Sequence, residues 1–285
     1  MGRIAAHSEP LLSFCKAKFI AHEFSLQNRA LHGADGDEKE RMKREILDVV
    51  FESESLKLGF TTRFGGISKG AYEGLNLAGN VGDLPANVAK NREILAAALG
   101  TAPFNLKFMR QIHSNRVEIL RDLEDELPPC DGVITALRDV VLCVLVADCS
   151  PVLIADERRG VVAAVHAGRA GVTGKICTNA VKLMKSEFGC EARDLRVFVG
   201  ANIKARNYEV GGLDLGEFNR YKKEGKFDMK AALRDEFAQL GLGRAEFDPR
   251  CTFETGELFS YRRYGVTGRF CGFIINKPMP TKRKN

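Results

Sequence analysis

Residues 140–168 read VVLCVLVADCSPVLIADERRGVVAAVHAG, and this stretch decides the fold class. Its apolar runs are separated by short polar breaks, and each run has the length of a β-strand rather than that of a helix. We therefore predict strands over residues 139–149, 151–156 and 161–166. The last two strands flank a polar turn and are predicted to pair as an antiparallel hairpin.

The position of that turn determines which polar residues meet. With Glu157 and Arg158 at its tip, Cys149 pairs with His166 across the ladder, and their Cβ atoms lie about 5 Å apart. Pro151 lies inside the paired segment, where proline is tolerated at the edge of a sheet. The predicted pairing puts a thiol and an imidazole within reach of one metal ion, or of each other.

Strands and helices follow one another in runs along the rest of the chain. Further strands are predicted at residues 56–64, 106–112, 116–120, 131–135, 195–200 and 269–275, and helices at residues 87–99, 172–188 and 229–240. Because the strands come in runs instead of alternating strictly with helices, we predict an α+β fold. Its β-sheets are expected to be mixed or antiparallel and layered with helices.

The two ends of the chain differ from its middle. Residues 1–41 are polar and without hydrophobic periodicity, so we predict a poorly structured N-terminal extension, with translation from Met42 as a hypothesis. Residues 42–276 are predicted to form a single catalytic domain, followed by a basic tail over residues 277–285 that adds solubility.

The composition narrows the range of partners. The chain has 285 residues, of which 45% are hydrophobic and 28% charged, as in ordinary globular proteins. No apolar run approaches the roughly 18 residues needed to cross a membrane, and there is no signal peptide, so we expect a cytoplasmic protein. The net charge is +6, but no basic stripe with interleaved aromatic residues suggests a nucleic-acid partner. The sequence does not indicate an oligomeric state.

Histidine and cysteine positions single out a candidate site. Of the 5 histidines, only His113 and His166 lie outside the N-terminal extension, and each is predicted to end an apolar strand. Cys149 also ends a predicted strand. One thiolate and two imidazoles form a donor set that zinc accepts with one position open. On the residues alone, a packing role and a metal-free Cys–His pair are equally open.

Short motifs recur in a defined order from about residue 59 to residue 275. They are TTRFGGIS (61–68), LNL (75–77), NVGD (80–83), NR (91–92), QIH (111–113), ADCSPV (147–152), HAG (166–168), YEVG (208–211), FSYRR (259–263) and TGR (267–269). In this order the motifs resemble those of the YfiH or laccase-domain family, also called the polyphenol oxidase or purine nucleoside phosphorylase family.

The resemblance implies a YfiH-like fold and a metal site at which His113, Cys149 and His166 bind zinc and carry the catalysis. It implies phosphorolysis of adenosine, inosine, guanosine and methylthioadenosine, with a purine nucleoside and phosphate as ligands and adenosine deamination as an accompanying activity. A copper-dependent polyphenol oxidase is a weaker hypothesis, because its copper centres need on the order of ten histidine ligands. A metal-free Cys–His hydrolase or deamidase is a further hypothesis, and so is a binding protein with a structural zinc.

Four further residues are expected to bind substrate. Arg63, on a glycine-rich turn, can hold two oxygens of a phosphate at once, and Asn76 can bond a base or ribose. Asp148 precedes the cysteine and is expected to orient the site. Arg169 lies in HAGRAG, where the family usually has HAGWRG, and can partly replace the missing arginine. This departure leaves the nucleoside preference open.

Overall fold

The architecture, taken from a computed structural model that describes residues 46–278, consists of two large β-sheets and the helices that cover them. The main strands are β1 (Leu47–Glu52), β2 (Leu56–Thr61), β3 (Leu106–Phe108), β4 (Val117–Ile119), β5 (Gly132–Thr135), β6 (Val141–Val146), β7 (Ser150–Asp156), β8 (Val161–Ala167), β9 (Arg196–Val199), β10 (Lys222–Lys223), β11 (Lys226–Phe227), β12 (Arg244–Phe247) and β13 (Phe270–Asn276). The α-helices are α1 (Pro85–Leu99), α2 (Arg169–Thr173), α3 (Ile176–Phe188), α4 (Met229–Gln239) and α5 (Tyr261–Tyr264).

Both large sheets are mixed. One has 5 strands in the order β1-β2-β13-β6-β3, and the other has 6 strands in the order β12-β9-β7-β8-β5-β4. Antiparallel pairs predominate, while β3 pairs with β6, β4 with β5 and β12 with β9 in parallel. The predicted α+β fold with mixed sheets is therefore confirmed.

The two sheets face each other across a shared hydrophobic cluster. Phe60 and Leu142 enter this cluster from the five-stranded sheet, and Leu153 and Phe198 enter it from the six-stranded sheet. Helix α1 packs against the outer face of the five-stranded sheet. Helices α3 and α4 cover the outer face of the six-stranded sheet. Strands β6 and β7 are thus buried on both faces, which explains why their sequences are continuously apolar.

The β7–β8 hairpin exists, but its predicted register is wrong by two residues. Pro151, not Cys149, lies opposite His166, and Asp156 pairs with Val161. The turn contains four residues instead of two. It is closed by the Asp156 side chain, which accepts the Arg159 N–H group at 3.0 Å, and it ends at a glycine with a left-handed backbone (φ 65°).

Pro151 is tolerated in a central strand because of its position near the strand end. Pairing between β7 and β9 begins one residue later, at Val152 and Val199. The Pro151 carbonyl still accepts the N–H group of Gly200 at 2.9 Å. The missing proline N–H group therefore interrupts no bond of that ladder.

Several predicted elements have different limits. Strands β3 and β6 end at Phe108 and Val146, earlier than predicted, and β1 and β12 were not predicted. The helix predicted over residues 172–188 is divided into α2 and α3 at Lys175, whose backbone is left-handed (φ 57°). Helix α1 begins at Pro85, since proline needs no hydrogen bond at a first helical position.

The predicted N-terminal extension, residues 1–41, lies outside the described residues, as does most of the predicted basic tail. Lys277, the first residue of that tail, donates its N–H group to the Ser55 carbonyl at 2.8 Å and pairs with Glu52 at 2.8 Å. Within residues 46–278, no helix combines the length and the apolar character that crossing a membrane requires.

Candidate metal site and its cavity

Three side chains with metal-binding atoms converge at one place. The ligand atoms of His113, Cys149 and His166 lie within 4.8 Å of one another, and within residues 46–278 no other group of three or more histidine, cysteine or acidic residues does so. His166 is buried near the end of β8, Cys149 is half-buried in the link from β6 to β7, and His113 is exposed in the loop after β3.

A buried carboxylate orients His166. Oδ1 of Asp131 lies 2.7 Å from Nδ1 of His166. Because an ionised carboxylate only accepts hydrogen bonds, Nδ1 carries the proton and Nε2 remains available to a metal or to the cysteine. The same two residues are also joined through their main chains, since the Asp131 carbonyl accepts the His166 N–H group at 2.6 Å.

His113 reaches the site from a loop rather than from a strand end, so the predicted strand over residues 106–112 is wrong beyond Phe108. Its backbone is left-handed (φ 59°), a conformation that is uncommon outside glycine. Asp131 holds this loop by accepting the main-chain N–H groups of His113 at 3.0 Å and Ser114 at 2.6 Å. Gln111 anchors the loop to β6 through two 2.8 Å bonds with the main chain of Leu145.

Cys149 lies where the chain passes from one sheet to the other. The preceding residue, Asp148, has a φ of 99°, which is strained for a residue with a side chain. Its carboxylate holds this turn by accepting the hydroxyl groups of Thr252 at 2.6 Å and Ser260 at 2.7 Å, and the main-chain N–H group of Arg262 at 2.6 Å. These contacts fix the turn that precedes Cys149, and a role of Asp148 in orienting the site stays a prediction.

The ionisable groups of the site shift one another's pKa values. Burial favours the neutral thiol of Cys149, but the positive charge of His166 and hydrogen bonds from both histidines outweigh it and lower the Cys149 pKa to about 6. Burial opposes the charge of His166, while the Cys149 thiolate and Asp131 favour it and raise the His166 pKa to about 9. The His166 and Ser114 hydrogen bonds also hold the pKa of Asp131 well below its ordinary range. Without a metal, the pair is a thiolate beside an imidazolium.

Gly168 lets the backbone of the HAG motif approach all three side chains. A Cβ atom on this residue would lie 3.0 Å from Sγ of Cys149, 3.4 Å from Cδ2 of His113 and 3.6 Å from Cε1 of His166. The first distance is shorter than normal packing allows. An alanine at this position would therefore displace Sγ of Cys149 by a few tenths of an ångström or shift the HAG turn.

The three side chains open into a cavity of about 810 Å³. Five arginines line it: Arg92, Arg110, Arg169, Arg262 and Arg269. Among the described residues, Asp148 is the one acidic side chain that lines the cavity, and its oxygens already accept three hydrogen bonds. A cavity of this size can enclose a small organic ligand, and its charge favours anionic groups.

Comparison with known proteins agrees with this architecture. The model of a family described as multi-copper polyphenol oxidoreductase laccase matches residues 57–277. The chain belongs to this family. The resemblance of its motifs to the YfiH or laccase-domain family is thereby confirmed.

Relatives in the laccase-domain family include proteins named purine nucleoside phosphorylase. One from Corynebacterium glutamicum is 40% identical over 231 residues, which cover 75% of this chain and 92% of the relative. One from Mycobacterium tuberculosis H37Rv is 38% identical over 224 residues, covering 75% of this chain and 89% of the relative.

Solved structures share the fold. The Neisseria meningitidis protein NMB0706, described as a DUF152 protein, superposes with a TM-score of 0.73 and 31% identity, covering 81% of this chain and 99% of its own. The Bacillus licheniformis protein YfiH superposes with a TM-score of 0.75 and 28% identity, covering 82% and 97% of the two chains.

Two of the predicted substrate-binding residues do not line the cavity. Arg63 donates to the Glu73 carbonyl at 3.0 Å and stacks on the ring of Phe259, with 4.9 Å from Cζ to the ring centroid. Asn76 is buried, and its amide bonds Asp83 and the main chain of the neighbouring loops, with no hydrogen-bonding group left for a ligand. Both residues support loops of the laccase-domain fold.

The remaining two predicted residues, Asp148 and Arg169, do line the cavity, and Arg169 lies near the side chain of Tyr208. Sequence analysis missed Asp131, which follows Cys130 at the start of β5 and is fully buried. An aspartate directly before an apolar strand was the available signal. It also missed most of the cavity arginines, although Arg92, Arg262 and Arg269 lie within the motifs NR, FSYRR and TGR.

Proposed function

We propose that this chain is a zinc-dependent purine nucleoside phosphorylase that acts on adenosine, inosine, guanosine or methylthioadenosine with phosphate. The observation that carries the proposal is the His113–Cys149–His166 group at the wall of an arginine-lined cavity. The names of relatives that are 36–40% identical over most of their length support the reaction class.

The donor set fits zinc. In this proposal His113, Cys149 and His166 hold the metal through two imidazole nitrogens and one thiolate, which leaves a fourth position open. The lowered pKa of Cys149 supplies the thiolate at neutral pH. The Asp131 bond to Nδ1 of His166 matches the carboxylate–histidine–metal arrangement that orients ligands at zinc sites. A bound zinc ion supplies Lewis acidity toward an oxygen of the substrate.

The cavity suits the proposed reaction in charge and size. In phosphorolysis an oxygen of phosphate bonds the anomeric carbon, the carbon–nitrogen bond to the purine breaks, and the purine leaves with a proton. Guanidinium groups are well suited to hold a phosphate, because they offer two parallel N–H donors to two of its oxygens. Excess positive charge in the cavity also attracts the anion from solution.

Adenosine deamination is proposed as the accompanying activity. Zinc deaminases use a carboxylate as a proton shuttle. Asp148 is the one acidic residue lining the cavity among the described residues, and its oxygens accept three hydrogen bonds. Because these hydrogen bonds occupy the carboxylate, it is poorly suited to shuttle protons, and we propose phosphorolysis as the main reaction.

A metal-free Cys–His hydrolase or deamidase is the second candidate. The observation that favours it is the series Cys149–His166–Asp131, in which a lowered thiol pKa and a carboxylate-oriented imidazole resemble a nucleophile, a base and an orienting group. His113 has no role in such a series, although it too bonds Cys149. Because two imidazoles lie beside one sulfur, the arrangement favours a metal site over a metal-free Cys–His pair.

A combined measurement of metal content and activity tests the proposal. The protein is purified without an affinity tag, zinc and copper are counted by elemental analysis, and base and ammonia release from adenosine and inosine are followed with and without phosphate. Cys149→Ala is compared with Cys190→Ala, which removes a buried thiol of the outer core instead.

The proposal predicts about one zinc per chain and base release that requires phosphate. Both are lost in Cys149→Ala and retained in Cys190→Ala. A protein that binds no metal, alkylates readily at Cys149 and releases neither base nor ammonia would contradict the proposal and favour the hydrolase.

A further inference from the structure

Two arginines of the cavity flank one tyrosine. Arg169 and Tyr208 line the cavity together, and the guanidinium lies near enough to the phenol to favour its ionised form. Cζ of Arg262 lies 5.0 Å from the centroid of the Tyr208 ring, and its Nη1 donates to the Glu209 carbonyl at 2.7 Å. Tyr208, Cys149 and His166 line the same cavity. The pair of guanidinium groups therefore lies beside the proposed metal site.

A third arginine, Arg269, lines the same cavity as Cys149. The charge of Arg269 interacts with the Cys149 thiolate and, more weakly, with Asp148. Its Nη1 donates to the carbonyls of Thr267 at 2.7 Å and Gly268 at 3.0 Å. These bonds hold the head group in place and leave Nη2 and Nε without a hydrogen-bond partner within the described part of the chain.

None of these three guanidinium groups forms an ion pair with a carboxylate of residues 46–278. Their fixed contacts are carbonyl oxygens, aromatic rings and a phenol, which are neutral. Three guanidinium groups of like charge that line one cavity repel one another, and the Cys149 thiolate and the Asp148 carboxylate are the negative groups among the described residues of that lining. A bound oxyanion offsets this repulsion and uses the free N–H groups.

We propose that Arg169, Arg262 and Arg269 form a phosphate-binding subsite beside Cys149, in which Tyr208 aligns Arg169 and Arg262. The anion belongs to the tetrahedral oxyanion class, since three guanidinium groups that line one cavity offer more donors than a planar carboxylate can accept. The assignment of this anion as co-substrate rests on the proposed phosphorylase function. The subsite itself rests on the arginine geometry alone.

This assignment gives a role to the HAGRAG sequence. Arg169 begins α2 directly after Gly168, three residues beyond His166. An arginine at this position lies near Tyr208, which lines the same cavity. The subsite is thus assembled from the start of α2, from α5 and from the loop before β13, and the main chain of Arg262 donates to the Asp148 carboxylate.

Phosphate binding is measured directly by the broadening of the ³¹P resonance of inorganic phosphate on addition of protein, without nucleoside. Arg169→Gln, Arg262→Gln and Arg269→Gln are compared with Arg220→Gln. Arg220 is the matched control, because its guanidinium also stacks on a tyrosine, at 4.8 Å from the Tyr221 ring centroid, but lies outside the cavity. Metal content is determined for every variant, since an anion held by a metal alone would not respond to the arginines.

We expect each cavity variant to bind phosphate roughly tenfold or more weakly than the wild type, at unchanged metal content, and Arg220→Gln to bind normally. In the phosphorolysis assay, the KM for phosphate should rise while the KM for nucleoside changes little. A wild type that does not bind phosphate, or cavity variants that bind it as tightly as Arg220→Gln, would overturn the subsite. Phosphate binding that depends on the three arginines, without base release, supports the subsite and contradicts the phosphorylase function.

Discussion

Asp131 and His166 are joined by a 2.7 Å contact between Oδ1 and Nδ1, and the same carboxylate accepts the main-chain N–H groups of His113 and Ser114. One buried side chain therefore orients one imidazole directly and positions the other through its backbone. The carboxylate also contributes to the high pKa of His166, which is about 9 in the absence of metal. Both histidines depend on this residue, although it is not among the three residues whose ligand atoms lie within 4.8 Å of one another.

Asp131→Asn should weaken metal binding about ten- to hundredfold. An amide has one acceptor oxygen in place of two, and its NH₂ group would face main-chain N–H groups that now bond the carboxylate. The loop that carries His113 would then be held less firmly. Zinc affinity, measured by competition with a chromophoric chelator, checks this expectation.

Asp125→Asn is the control for this substitution. Asp125 also accepts main-chain N–H groups, those of Arg121 at 3.0 Å and Asp122 at 2.8 Å, but in an exposed turn away from the cavity. It should leave the zinc affinity unchanged. Equal affinities of the two variants would show that Asp131 does not position the ligands.

Gly168→Ala should disturb the metal group without unfolding the domain. The added Cβ would lie 3.0 Å from Sγ of Cys149, so the sulfur must move or the HAG turn must shift. Overpacking of this kind costs about 1–3 kcal/mol, and here it falls on the metal ligands. Zinc affinity should decrease more than tenfold, while circular dichroism and the unfolding transition remain those of a folded protein.

Gly79→Ala provides a matched control within the same cavity. A Cβ on Gly79 would meet no atom within 4 Å, and the residue lines the cavity as well. This variant should bind zinc like the wild type. If both alanine variants lost zinc to the same extent, the close approach of Gly168 would not be the cause.

Alkylation of the metal-free protein should depend on pH in a way that identifies Cys149. Its pKa is lowered to about 6, so the reactive thiolate is present above pH 6 and is lost as the pH falls below that value. The rate should therefore rise between pH 5 and pH 7 and then level off. Burial and nearby acidic groups raise the pKa to about 11 at Cys130 and to about 12 at Cys190, so both should stay unmodified up to pH 9.

Mass spectrometry of alkylated peptides at each pH locates the modified residue. His166→Gln removes the positive charge that most favours the thiolate, so the midpoint should move to higher pH. Zinc should protect Cys149 in the wild type. A midpoint near pH 9 in the wild type, or one that His166→Gln leaves unchanged, would contradict the thiolate–imidazolium pair.

The main strands could be predicted from sequence because β6, β7 and β8 are buried on both faces and read as apolar runs. The register of the hairpin could not be predicted, because a continuous apolar run does not indicate at which residue the pairing with the next strand begins. The choice between a two-residue and a four-residue turn depended on the Asp156 side chain and on the left-handed backbone of Gly160. The error did not separate Cys149 from His166, since the turn at Asp148 brings the sulfur back toward β8.

The three residues of the candidate metal site, His113, Cys149 and His166, could be predicted from the sequence. The backbone conformations that bring their side chains together could not. His113 has a left-handed backbone, and the loop that carries it is held by Asp131 and Gln111. Both form hydrogen bonds between residues that are distant in the sequence. Arg63 and Asn76 were expected to bind substrate from their place in the motifs, yet their hydrogen bonds go to neighbouring loops. A motif residue can serve the fold as well as the site, and only its contacts distinguish the two roles.

The strain at Asp148 should appear in a comparison of two substitutions. Asp148→Gly and Asp148→Ala both lose the three hydrogen bonds to Thr252, Ser260 and Arg262, so both should be less stable than the wild type. Only alanine keeps a Cβ atom at a φ of 99°. The alanine variant should therefore be less stable than the glycine variant by about 1 kcal/mol in the free energy of unfolding, measured by denaturant titration.

The same pair of substitutions at Asp139 separates backbone strain from effects on the site. Asp139 also has a left-handed backbone (φ 57°) but does not line the cavity. There too the alanine variant should be less stable than the glycine variant, while zinc affinity stays unchanged in both. At Asp148 both variants should also lose zinc affinity, because the turn that directs Cys149 is no longer held. Equal stabilities of the two Asp148 variants would show that the turn is not strained, and retained zinc affinity would show that its hydrogen bonds do not position the sulfur.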